Sequence, residues 1–189
     1  METITKSQPA SNFEPTISKD FLEVCQLQKD YFNSGETLSL KFRLGQLKRL
    51  REEIVGHEQE IIDALYKDLH KSEFEAFGSE IGQVIKEIDF TISNLKKWSA
   101  PKSVPTPLMY FPSTSKIHRD PLGTVLIIGP WNYPFLLLMS PLVSAIAGGN
   151  TIVLKPSEEA AHTAILIENI ISKIFDEKYI AVVQGIGGE

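Results

Sequence analysis

The sequence holds a single cysteine, Cys25, among 189 residues. No internal disulfide can form, and a disulfide-stapled secreted domain is excluded. Histidine is scarce as well: His57, His70, His118 and His162 stand too far apart for metal-ligand spacing, so no metal is expected. Positive charge is not in excess. With a net charge of -5 there is no basic stripe of the kind that nucleic acid or an anionic lipid surface requires, and neither partner is expected. A long uninterrupted apolar run is also missing. The longest, residues 135–149, falls short of the ~20 residues that a spanning helix needs. Pro141 and the Gly148-Gly149 pair interrupt it, so it reads as a buried core helix. Residues 1–15 are polar and lack the apolar stretch of a secretory signal, so residues 1–17 read as a flexible tail. A reducing, cytoplasmic setting is expected.

What is present is the composition of a globular chain: 42% hydrophobic and 23% charged residues can bury a sizeable core. Between residues 40 and 69, Leu40, Leu44, Leu47, Leu50, Ile54, Ile61, Leu65 and Leu69 recur mostly three or four apart, which predicts amphipathic helix with a break near Gly56. A second helical stretch places Phe74, Phe77, Ile81, Val84, Ile88, Ile92 and Leu95 on one apolar stripe, with Glu80, Lys86, Glu87 and Lys96 away from it. Residues 18–100 are thus expected to form a helical region. Pro101, Pro105, Pro107 and Pro112 then forbid helix, so residues 101–121 are expected to be an extended crossing, with short strands at 108–111 and 115–119.

From residue 122 the type of element alternates. Residues 124–128, 151–154 and 179–183 read as strands, and 135–147 and 158–175 as helices. Strands of continuous Ile, Val and Leu separated by helices predict an open parallel α/β sheet with crossover helices, each strand buried on both faces. Ligands bind such a sheet beyond the carboxyl ends of its strands. The segments to inspect are therefore 129–134, 155–158 and 184–189.

In the first of these, Asn132 lies in Gly129-Pro130-Trp131-Asn132-Tyr133-Pro134, between two rigid prolines directly after a strand. An amide held there can aim its N–H at an oxygen that gains negative charge. The residues alone equally allow an ordinary strand-to-helix turn. In the second segment, Lys155 could donate to the hydroxyls of a ribose, and Ser157 could cap the following helix. Glu158 could accept from the same ribose, or simply favour the positive end of the helix dipole.

Taken in order, strand, Gly-Pro-Trp-Asn-Tyr-Pro, apolar helix, Ala147-Gly148-Gly149-Asn150, strand and Lys155-Pro156-Ser157-Glu158 resemble the aldehyde dehydrogenase superfamily. Lys41-Phe42-Arg43, Asp68-Leu69-His70-Lys71 and Pro121-Leu122-Gly123 also resemble it, and the short leader is similar to the class 3 branch that acts on fatty and aromatic aldehydes. The resemblance runs from about Ser18 to the end of the chain. It implies a Rossmann-like sheet over residues 122–189 as an incomplete NAD(P)-binding domain. It further implies that Asn132 helps form the oxyanion hole and that Lys155 binds the adenosine ribose. Glu158 would influence the choice between NAD and NADP, with Ile128, Pro130 and Trp131 lining the cofactor cleft. Gly185-Ile186-Gly187-Gly188-Glu189 resembles the family's Gly-x-x-x-Glu stretch.

In the family, the phosphate-facing Gly-Ser-x-x-x-Gly loop, the general-base glutamate and the nucleophilic cysteine come after the region this chain covers. Cys25 has Val24 and Gln26 as neighbours, with no activating cation or base in sequence, and reads as an idle thiol. The expectation is the amino-terminal part of an enzyme that oxidises an aldehyde to an acid with NAD or NADP through a cysteine thiohemiacetal and thioester. By itself this part should be inactive, and the full-length enzyme should be a homodimer. Two alternatives stay open: a non-catalytic truncated product, or a related reductase acting on an acyl phosphate or acyl thioester.

Overall fold

The amphipathic repeat folds as two helices, α2 (Leu40–Gly56) and α3 (Glu58–Leu69), with the expected break at Gly56 and His57. Ser39 caps α2 by accepting from the Phe42 N–H at 3.4 Å. The computed structural model describes residues 21–185. The tail expected at 1–17 and most of the 185–189 glycine stretch lie outside them. Ahead of α2 runs α1 (Phe21–Asn33), which carries Cys25.

The second helical stretch departs from its prediction in phase. It comprises α4 (Glu73–Ala76), a π-helical turn (Phe77–Ile81) and α5 (Gly82–Ser99). The apolar stripe is right from Ile81 onward, where Ile81, Val84, Ile88 and Leu95 are buried. It is wrong before that: Phe74 is 90% exposed and Phe77 is also exposed, while Ala76 and Glu80 are fully buried. A π turn takes in one residue more than an α turn, so everything before it is rotated relative to everything after. A uniform 3.6-residue repeat cannot anticipate that rotation.

The proline-rich crossing is also corrected in detail. Residues 108–111 are not a strand. Leu108–Tyr110 form a 3₁₀ turn in which the Tyr110, Phe111 and Ser113 N–H groups each bond the carbonyl three residues back. The second expected strand exists as β2 (Ser115–Ile117), and its antiparallel partner is β1 (Lys102–Val104). Val104 precedes Pro105, which biases it to extended backbone.

The α/β portion follows the alternation. It contains β3 (Thr124–Ile128), α6 (Leu136–Gly148), β4 (Thr151–Lys155), a 3₁₀ turn (Glu158–Ala160), α7 (Ala161–Ile174) and β5 (Ile180–Val182). The strands form a parallel sheet in the order β3-β4-β5. Pro141 does not interrupt α6, which continues through it and buries Leu138, Met139, Leu142, Val143 and Ile146 on one face. Among the described residues no helix is long and apolar enough to cross a membrane. Gly149 ends α6 at φ 87°, a left-handed conformation that glycine adopts without penalty. Asn150 then ties both ends of the unit together, accepting from the Leu122 and Gly123 N–H groups and donating to the Ala145 carbonyl.

The middle strand β4 is covered on both faces, and so is the start of β5, where Ile180 joins the main core and Ala181 the small cluster on the opposite face. Ile152 and Leu154 of β4 join the main core with Leu47, Leu50, Ile54, Ile61, Ile88, Leu138, Leu142 and Ile167, so helices α2, α3, α5, α6 and α7 share one core with the sheet. Val153 points the other way and meets Val24 of α1, as the two-residue period of a strand requires. Gln28 of α1 donates to the Ile152 and Glu177 carbonyls at 2.8 and 3.1 Å and fastens that helix down. Contrary to expectation, β3 alternates: Val125 and Ile127 pack against the core, but Leu126 is 52% and Ile128 64% exposed. As the outer strand beside β4, it keeps an open face at the end where the site lies.

Candidate active site

Two loops meet at the carboxyl edge of the sheet. Ile128, the last residue of β3, and Lys155, the last of β4, are register partners, and the Gly129 N–H bonds the Lys155 carbonyl at 2.9 Å. A Cβ on Gly129 would sit 3.0 to 3.1 Å from the Leu138 side chain, so glycine lets the loop turn tightly onto α6. Five of the sequence-selected residues, Ile128, Pro130, Trp131, Asn132 and Glu158, are exposed here, and Lys155 is half-buried among them.

Lys155 donates to Glu158 Oε2 at 2.8 Å and to the Pro156 carbonyl at 3.4 Å. Ser157 caps the turn that follows by accepting from the Glu159 N–H at 3.3 Å, as its position predicted. A cation with rotatable donors and a carboxylate with acceptors therefore stand side by side next to the exposed Ile128 side chain. This set can recognise a vicinal diol that carries a flat apolar group.

Asn132 is held by its main chain. Its carbonyl accepts from Lys71 Nζ at 3.1 Å, and the same ammonium lies 3.9 Å from the centre of the Tyr133 ring. Its side chain is different: among the described residues no group bonds the amide, and the residue is exposed. An anchored backbone with an unspent N–H donor is suited to an oxygen that develops negative charge.

Two side chains in this arrangement had no role in the sequence reading. Glu80, expected on the solvent side, is fully buried against Lys71 and the start of α6. Lys71 belongs to the Asp-Leu-His-Lys motif, but its partner was hidden by the π turn. From the same motif, Asp68 accepts from the His162 and Thr163 N–H groups and from Thr163 Oγ1 at 2.7 to 3.1 Å, which locks the end of α3 to the start of α7. Cys25 lies on α1, the helix that covers the sheet face carrying Val153.

Comparison with known proteins agrees with this architecture. The chain is 46% identical over 157 residues to 4,4'-diaponeurosporen-aldehyde dehydrogenase of Staphylococcus aureus, covering 83% of this chain and 34% of that protein. It is 42% identical over 163 residues to the dimeric NADP-preferring aldehyde dehydrogenase of Canis lupus familiaris, covering 86% and 36%. Aldehyde dehydrogenase family 3 proteins of Arabidopsis thaliana and Macaca fascicularis are similar at 44% and 40% identity. A structure described as the substrate-bound state of Staphylococcus aureus AldH superposes with a TM-score of 0.87 at 43% identity, over 89% of this chain and 37% of that one. The chain thus spans about a third of the length of the relatives it matches. The sequence pattern of the aldehyde dehydrogenase family matches residues 5–189, and the chain belongs to that family.

Proposed function

We propose that this chain forms the oxyanion and adenosine-ribose side of an NAD(P)-dependent aldehyde dehydrogenase, which oxidises an aldehyde to a carboxylic acid. The observation that carries the reading is the Asn132 amide, exposed and unbonded among the described residues while its backbone is anchored beyond the end of β3. When a thiolate attacks the aldehyde carbon, the carbonyl oxygen takes up negative charge and Asn132 Nδ2–H donates to it. The thiolate is not Cys25, the one cysteine here, and the nucleophile and general base would come from chain outside these 189 residues.

The residues fit the adenosine half of a nicotinamide dinucleotide. Lys155 and Glu158 present donors and acceptors to the ribose hydroxyls, and Ile128, Pro130 and Trp131 offer the wall of the cleft. When bound, the cofactor supplies the two-electron oxidant. The dog relative is described as NADP-preferring, so both NAD and NADP stand as candidates. That relative is also described as dimeric, which supports a homodimer for the complete enzyme. A reducing compartment such as the cytoplasm suits chemistry that depends on a free thiolate.

The test is Asn132→Ala in the complete enzyme. Loss of one well-placed oxyanion donor should lower kcat by about 10²- to 10³-fold. Full activity would reject the role. A second test uses the 189-residue chain mixed with an aldehyde and NAD⁺, which should give no sustained nicotinamide reduction.

A further inference from the structure

Glu80 is fully buried, and both of its carboxylate oxygens are engaged. Oε1 accepts from Lys71 Nζ at 2.5 Å, and Oε2 accepts from the backbone N–H groups of Phe135 and Leu136 at 2.9 and 3.1 Å. Helix α6 has no side-chain cap of its own, so Glu80 provides one from a different element and places its charge at the positive end of that helix. Lys71 carries the same anchorage into the loop through the Asn132 carbonyl and the Tyr133 ring. One ion pair therefore holds residues 132, 133, 135 and 136, immediately around the amide.

A buried ion pair is a poor choice if only stability is needed, because well-packed apolar residues of similar volume do as well or better. What this pair offers is direction. It fixes the main chain on both sides of the Asn132–Pro134 turn while touching neither the amide nor the open space in front of it. A displacement of about 1 Å at a reacting group costs on the order of 10²-fold in rate.

We propose that Lys71 and Glu80 are positioning residues that aim the Asn132 amide, so that they act on turnover through Asn132 alone. This rests on the oxyanion role proposed for Asn132. It predicts a specific pattern of coupling, which a purely structural ion pair would not produce.

The experiment is a double-mutant cycle in the complete enzyme, with Lys71→Met measured with and without Asn132→Ala. Both kcat and the KM for cofactor are read. Alone, Lys71→Met should lower kcat by about 10- to 100-fold and leave the cofactor KM unchanged; with Asn132→Ala already present it should cause no further loss. An equal proportional loss in both backgrounds, or no loss in the native background, overturns the proposal. If circular dichroism shows that Lys71→Met does not fold, Lys71→Arg takes its place. A planar guanidinium keeps the charge but cannot occupy the same point between carboxylate, carbonyl and ring. It should cost about fivefold in kcat with the same absence of further loss, and equal losses in both backgrounds overturn the proposal again. A native-like kcat for Asn132→Ala alone rejects the role of Asn132 instead, so the two failures are told apart.

Discussion

Lys155 and Glu158 are bonded to each other at 2.8 Å, and each limits what the other can recognise. If the pair holds the ribose as proposed, Lys155 is already engaged and the Glu158 carboxylate should repel a phosphate on the 2′-oxygen. Unit charges about 4 Å apart interact by ~1–4 kcal/mol between bulk water and a protein surface. Glu158→Gln should therefore raise the NADP-to-NAD ratio of kcat/KM on the order of tenfold, measured by steady-state kinetics of the complete enzyme. An unchanged ratio would place Glu158 away from the 2′ position. Cys25→Ser should leave the turnover of that enzyme unaltered, because this thiol lies on α1 and belongs to neither site loop. At this scale the Ser157 cap was legible, and so was the placing of Asn132 and Lys155 at the carboxyl edge of the sheet, because all three sit in motifs joining strand to helix. Glu80 was not legible. Its burial depends on partners from Lys71 and from the start of α6, 55 residues away, and nothing local in the sequence announces them.

The elements were readable wherever one period ran without interruption. Residues 40–69 gave their two helices because a helix that must bury one face repeats its apolar residues at a fixed interval, and 124–128 and 151–154 gave their strands as short continuous apolar runs. The π turn at Phe77–Ile81 defeated that logic by shifting the phase, and the 3₁₀ turn at Leu108–Tyr110 lay in a segment where prolines set the backbone and no period existed. The π turn is what swings Glu80 inward, so the element scale predicts a stability effect. Glu80→Ala leaves the buried Lys71 ammonium and the Phe135 and Leu136 N–H groups without their carboxylate acceptor. It should destabilise the chain by about 3–5 kcal/mol, the usual cost of removing one partner of a buried pair, read from urea unfolding. A loss below ~1 kcal/mol, typical of an exposed pair, would contradict the burial.

A second prediction concerns the docking of α1 and β5. Tyr31 and Tyr179 meet edge to face with ring centres 6.0 Å apart. Burial pushes the Tyr31 hydroxyl up to about 12 from its ordinary 10.0, with the Glu36 carboxylate adding to the effect. Burial also raises Tyr179, and Tyr31 adds to that shift. The folded state thus holds protons that the unfolded chain gives up. The corresponding stability is complete below pH 10.0 and is lost as pH rises through about 12. The urea midpoint should fall across that interval, and Tyr31→Phe should flatten the fall.

For the molecule as a whole, one continuous core joins the helices of residues 40–99 to the sheet, which explains how Lys71 and Glu80 can reach a loop that follows β3. The parallel α/β class was legible because its strands are apolar throughout and separated by helices. The open face of β3 was not, since Leu126 and Ile128 are as apolar as their buried neighbours and differ only in having nothing packed on them. Among the described residues β3 and β5 are both edge strands, and Leu122, Leu126 and Ile128 are exposed. Unpaired strand edges beside apolar surface favour association. The 189-residue chain alone should therefore self-associate with rising concentration in sedimentation velocity, and a monomer at every concentration would argue against it.

The proposed chemistry depends on where the Asn132 amide points in the complete enzyme. The most direct measurement is a crystal structure of the complete enzyme with an aldehyde substrate trapped in its site. Asn132 Nδ2 should lie about 2.7–3.1 Å from the substrate oxygen that becomes anionic. A substrate oxygen bonded by other donors, with the Asn132 amide turned away from it, would contradict the account.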